Sequence, residues 1–294
     1  MPALIANRIT IEYDTFGSQA NAPLLLVMGL GAQMIAWDEA FCQQIADRGF
    51  FVIRHDNRDC GLSSKIEDGP EPNMMAALSG DTSSASYALA DMASDSAALL
   101  EALGFASAHI VGASMGGMIV QQMAIDHPAR VRSMTSIMST TGDRAVGQSK
   151  PEAIAALMAP PPTTRAEAID RGVAASKIIG STGFPFDEEH RRRMVARSYD
   201  RAFYPIGTAR QMLAVVAGGD RTEGLKSLAI PVAVIHGEVD PLVTISGGEA
   251  TAAAIACATF VPVPGMGHDL PIGAWPVIIG SIAENAARAA AAAK

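Results

Sequence analysis

The sequence predicts an α/β protein in which a mostly parallel sheet carries helices on both faces and an all-helical cap is inserted late in the alternation. Three observations point there. Short, continuous apolar runs bounded by Gly, Pro and polar residues recur along the chain, the pattern of strands buried on both faces. Helical patterns alternate with them, and a strand–helix–strand rhythm needs crossover connections and therefore parallel strands. The rhythm stops over residues 140–227 and returns afterwards. The core is thus expected over residues 1–139 and 228–294, with the cap over 140–227.

Taken in order, residues 8–13 alternate apolar and polar side chains and predict a half-exposed strand, with Phe16-Gly17 starting a turn. Residues 23–28 are the first buried run; it opens into Gly29-Leu30-Gly31, ahead of a helix over about 37–47. The next buried strand, 51–55, runs into Asp56-Asn57-Arg58-Asp59-Cys60-Gly61-Leu62-Ser63. A polar loop lasts to Ser86, and an amphipathic helix over 87–103 stops at Gly104. A strand at 108–112, a helix at 115–126 closed by His127-Pro128, and a strand at 131–139 complete the first half. Within the cap, the breaker run Pro160-Pro161-Pro162 separates helical patterns at 152–158 and 165–179, and another follows at 188–197. The core resumes with a strand at 232–236, a helix at 246–256, a strand at 259–263 and a last helix at 275–293.

Composition narrows the function. The chain of 294 residues is 49% hydrophobic and 18% charged, with a formal net charge of -8. It lacks the basic patch that a nucleic acid or an anionic membrane needs; Arg191-Arg192-Arg193 sits beside Asp187-Glu188-Glu189 and reads as a solvated helix face. Cys42, Cys60 and Cys257 are scattered and without metal-ligand spacing, so neither a disulfide framework nor a metal site is expected. Residues 1–7 are too short and polar for a secretory signal, and no apolar run approaches a membrane span. A cytoplasmic setting fits; self-association is left open.

The chemistry centres on Gly112-Ala113-Ser114-Met115-Gly116, between the strand at 108–112 and the helix behind it. Gly-x-Ser-x-Gly at a strand-to-helix turn is the pattern of a nucleophile elbow, with small residues two before and two after the serine so that a strained turn can form. The Met115 amide then opens the helix, where unpaired N–H groups and the dipole favour an anion. A serine nucleophile needs a base and an acid that orients the base. Asp240 follows the strand ending at His236, and His268 follows the strand ending at Val263; both lie where ligands gather, beyond the carboxyl ends of strands. His127, His236, His55, His109 and His190 are rival bases, and Glu238 and Asp143 rival acids. The second oxyanion donor is expected to be the Leu30 amide, because its flanking glycines Gly29 and Gly31 let backbone approach a substrate oxygen.

The order serine, acid, histidine, each after a strand, resembles the α/β-hydrolase superfamily along essentially the whole chain. Residues 24–29, 52–59, 180–187 and 264–268 look like the aclacinomycin methylesterase group within it. The resemblance implies an α/β-hydrolase fold, a Ser114–His268–Asp240 triad, and hydrolysis of a carboxylic ester without cofactor. Two departures stand out: Met28-Gly29 where many relatives have His-Gly, and Asp59-Cys60-Gly61 where Gly-x-Gly is common. The expected substrate is a small hydrophobic ester. Gly29, Met34, Ile178, Ile179, Phe184, Phe186 and Met212 are the expected pocket residues, with Phe203 and Met194 as further candidates. Perhydrolases and carbon–carbon bond hydrolases use the same triad, and a ligand-binding receptor-like protein can retain it. Dehalogenases and epoxide hydrolases of this fold carry aspartate where Ser114 stands.

Overall fold

The computed structural model describes residues 2–292. The chain opens as a hairpin of β1 (Ala3–Ala6) and β2 (Ile9–Phe16), antiparallel around Asn7 and Arg8, whose φ of 47° and 65° close the turn. β2 corresponds to the strand expected over residues 8–13, and β1 is an additional strand at the edge. Six further strands follow: β3 (Ala22–Val27), β4 (Phe50–His55), β5 (Ala108–Ala113), β6 (Val131–Ile137), β7 (Val232–Gly237) and β8 (Ala258–Val263). They form one eight-stranded sheet in the order β1-β2-β4-β3-β5-β6-β7-β8, parallel from β4 to β8.

Period two along the buried strands sends alternate side chains into two cores. Leu25, Val27 and Ile110 pack on one face against α3 (Leu89–Ala102) and α4 (Met115–Asp126), through Leu99, Leu100, Ile119 and Met123. Leu24, Leu26 and Val111 pack on the other against α1 (Glu39–Ala46) and α11 (Trp275–Ala292), through Phe41, Ile45, Trp275 and Ile278. Ala293, the last residue of the expected helix, lies outside the described residues. Each fully buried leucine contributes about 1.5–3 kcal/mol, so strands apolar on both faces hold both helical layers. α1 starts where the Asp38 carboxylate accepts from the Ala40 amide, an N-cap.

A short helix α2 (Met74–Leu78) lies in the expected polar loop. Between β6 and β7 the described elements are all helical: α5 (Pro151–Leu157), α6 (Arg165–Ile179), α7 (Glu188–Arg201), α8 (Pro205–Gly218) and α9 (Thr222–Lys226). α10 (Ser246–Ala254) connects the last two strands. In the register Val27 pairs with Gly112, Gly112 with Ser136, Ile137 with Ile235, and Gly237 with Val263. The loops after β3, β5, β7 and β8 therefore leave the same sheet edge.

Candidate active site

Ser114 joins β5 to α4 with φ 56° and ψ −122°, left-handed backbone that a side chain rarely tolerates. The strain is held by its surroundings: the Ser114 amide donates to the Ile137 carbonyl at 2.9 Å, and its carbonyl accepts from Gly117 at 2.9 Å. A Cβ on Gly112 would sit 2.0 Å from the Gly116 oxygen, and one on Gly116 would sit 2.1 Å from the Val27 oxygen. Only glycine fits either place.

Ser114 Oγ lies 2.9 Å from His268 Nε2, and His268 Nδ1 lies 2.7 Å from Asp240 Oδ2. A carboxylate only accepts, so Nδ1 carries the proton and Nε2 presents its lone pair to the serine hydroxyl. Asp240 is 3% exposed, and its Oδ1 accepts the amides of Leu242 and Val243 at 2.8 and 2.9 Å. A second histidine, His236, approaches Asp240 to 3.6 Å. Its Nε2–H donates to the Val243 carbonyl at 2.7 Å, and burial pushes its pKa below the ordinary value, so it adds no charge competing for the carboxylate.

The Met115 amide is the first N–H of α4, one of the donors a helix leaves without an internal partner. The Gly29-Leu30 turn adjoins it: a Cβ on Gly29 would lie 3.0 Å from Ser114 Cβ and 3.5 Å from its Oγ. Around that turn, Asn57 donates to the Met28 carbonyl, the Gly31 amide donates to Gln211 Oε1, and the Met34 amide donates to Asp56 Oδ1, each at 2.8 Å. Asp56 is paired with Arg201 at 2.7 Å; Arg201 also donates to Gln33 Oε1, and Gln33 Nε2 donates to the carbonyls of Ser198 and Ala202 at the end of α7. Gln33, Arg201 and Gln211 are not among the residues expected from the sequence. Their only signal is burial of polar side chains, which the chain does not display.

The histidine loop is clasped from the helical segment. The His268 amide donates to the Ile179 carbonyl at 2.7 Å, Gly183 to the Gly265 carbonyl at 2.8 Å, and Gly267 to Ser181 Oγ at 2.9 Å. Ser181 also donates through its amide, at 3.0 Å, and its hydroxyl to Asp269 Oδ1. Burial raises the Asp269 carboxyl above its usual range, and the Ser181 bonds oppose that rise.

The rivals stand elsewhere. His127 meets Ser94 and His109 meets Ser133; His190 lies 3.9 Å from Asp38, and burial holds His55 down to about 4. Glu238 is exposed, and Asp143 accepts from the Ala145 amide in a turn. Of the expected pocket residues, Met34 is fully buried, and Ile179 and Met212 are half-buried. Phe184 packs on the Trp275 core beside Gly273, whereas Ile178 and Phe186 are 42% and 41% exposed on the helical segment. Phe203 is exposed, and Met194 lines a cavity of about 280 Å³ with Ile35, Asp38, Glu39, His190, Arg193 and Arg197. That cavity lies at the seam of α1 and α7 and none of Ser114, Asp240 and His268 lines it. Among the described residues, no cluster of three His, Cys, Asp or Glu is arranged to hold a metal, and no helix is long and apolar enough to cross a membrane.

Comparison with known proteins agrees with this architecture. The chain is 26% identical over 296 residues, 94% of each chain, to the rhodomycin D methylesterase DauP of a Streptomyces species. It is 26% identical over 253 residues to 3-oxoadipate enol-lactonase 2 of Acinetobacter baylyi, covering 84% of this chain and 82% of that one. The crystal structure of the enol-lactonase from Burkholderia xenovorans LB400 superposes with a TM-score of 0.74 at 21% identity, over 97% of this chain and 99% of that one. A sequence profile of the alpha/beta hydrolase fold matches residues 22–273, and with the parallel sheet and its elbow this makes the chain a member of the α/β-hydrolase family.

Proposed function

We propose that the chain is a carboxylic ester hydrolase that works through a Ser114–His268–Asp240 triad and an acyl-enzyme. The observation that carries the reading is the unbroken relay from Ser114 Oγ through both ring nitrogens of His268 to a buried, amide-bound Asp240. Ser114 attacks the ester carbonyl as His268 Nε2 takes its proton, and Asp240 stabilises the imidazolium. The amides of Met115 and Leu30 hold the oxyanion of the tetrahedral intermediate. His268 then protonates the leaving alcohol, and a water activated by the same nitrogen releases the acid.

The segment over residues 140–227 acts as a cap over the sheet edge, and the substrate is a small hydrophobic ester. Gly29, against Ser114, and the buried or half-buried Met34, Ile179, Phe184 and Met212 are the pocket candidates. Methyl esters lead the candidate list because DauP is a methylesterase and the similarity runs along 94% of both chains. The test is an ester panel varied separately in acyl and alcohol parts, with Ser114→Ala as control. The variant should keep the fold and lose at least ~10⁴-fold in kcat; an undiminished rate would sink the assignment.

A further inference from the structure

We propose that Gln211, on α8, is a positioning residue for the oxyanion-holding amide of Leu30; the inference rests on the ester-hydrolase reading above. Gln211 is fully buried. Its Oε1 accepts from the Gly31 amide and its Nε2 donates to the Arg58 carbonyl, both at 2.8 Å. One side chain thereby ties the turn after β3 to the turn after β4 and to the helical segment.

The bonds fall on both sides of Leu30. The Gly29 carbonyl, in the same peptide as the Leu30 N–H, accepts from the Ala32 amide at 3.2 Å, and the next peptide, whose N–H belongs to Gly31, is fixed by Gln211. Gly31 has φ 63° and lies against Thr208 of α8, where a Cβ would come within 2.9 Å of Oγ1. A turn flanked by two glycines has many orientations open to it, so its direction must be imposed from outside. The orientation of the amide is also dictated. Gly31 N–H only donates and the Arg58 carbonyl only accepts, so position 211 must offer an acceptor and a donor together. Methionine offers no donor and only a weak thioether acceptor. A glutamate keeps the acceptor; as a carboxylate it turns its second oxygen on the Arg58 carbonyl and adds negative charge beside the place where the oxyanion forms. The neutral acid donates as glutamine does, so Gln211→Glu is assayed at alkaline pH, where the carboxylate is favoured.

A group that aims an oxyanion donor acts on the transition state and leaves ground-state binding almost unchanged. The experiment compares wild type, Gln211→Met and Gln211→Glu in steady-state hydrolysis of p-nitrophenyl butyrate, and in binding of phenylboronic acid, which forms a tetrahedral adduct on serine. Both variants should lose ~10–100-fold in kcat, with KM within about twofold of wild type and boronate affinity weakened by a matching factor. Gln211→Glu keeps the shape and the Gly31 bond, so it reports even where the Met protein does not fold. A folded variant with wild-type kcat overturns the proposal, as does a fall in kcat without a fall in boronate affinity. Active wild type with unaffected variants removes this inference alone. Wild type inert toward every ester removes the hydrolase reading, and this inference with it.

Discussion

The nucleophile elbow and the turn at residues 28–34 leave the same sheet edge and face one another, yet opposite means shape them. The elbow is made locally: Gly112 and Gly116 vanish from the path of the backbone, and β5, β6 and α4 clamp the strained serine. The turn is made remotely: its anchors Asp56, Asn57 and Gln211 lie 22, 29 and 180 residues away along the chain from the groups they bind. A site can therefore be rigid in one half because side chains are absent, and rigid in the other because buried polar side chains are present. The second half is only as well formed as the docking of the helical segment.

Either half of the site can be perturbed on its own. The largest effect is expected from Gly112→Ala, whose methyl has backbone 2.0 Å away and nowhere to move. It should cost more than about 4 kcal/mol and erase the cooperative transition in thermal unfolding; a wild-type Tm would show that the elbow has slack. Next comes Arg201→Met, which strips the fully buried Asp56 of its 2.7 Å partner. Loss of one member of such a pair costs about 3–5 kcal/mol in urea unfolding, and a cost below about 1 kcal/mol would mean that the turn stands without the α7 tie.

The smallest effect is a sensitivity to acid on the turn side. His55, next to Asp56, is held neutral because burial pushes it down to about 4, against about 6.5 when unfolded. The unfolded chain binds that proton first, so stability is full above pH 6.5 and falls as pH drops toward 4, by about 3 kcal/mol at pH 4. The difference in stability between wild type and His55→Phe should therefore change across that window; a constant difference from pH 7 to 4 contradicts it.

What the sequence disclosed follows the same division. β3, β5 and β7 are apolar runs buried on both faces and could be read directly; Ser114 and Asp240 stand out because they follow β5 and β7, and His268 because it follows β8, a more exposed strand still legible from its apolar run 260–263. β1 escaped because it is four residues long with Ile5 at 78% exposure, and α2 because its five residues expose Met75 and Leu78. α8 also went unread, starting directly at Pro205 after the exposed Phe203. Gln33, Arg201 and Gln211 are polar residues in helical or loop context whose meaning lies in a partner brought close only by the tertiary fold, and no local period encodes that.

The clasp around the histidine loop limits how such a chain can acquire new specificities. His268 leans on Ile179, Gly267 on Ser181, and the acid loop accepts the Lys150 amide at the Pro241 carbonyl at 2.8 Å. The helical segment is thus no interchangeable part: a chimera joined at residues 140 and 227 would remove the supports of the loops that carry His268 and Asp240. Diversification has to proceed residue by residue within it, or at its exposed stretch 157–161, which stands clear of those supports.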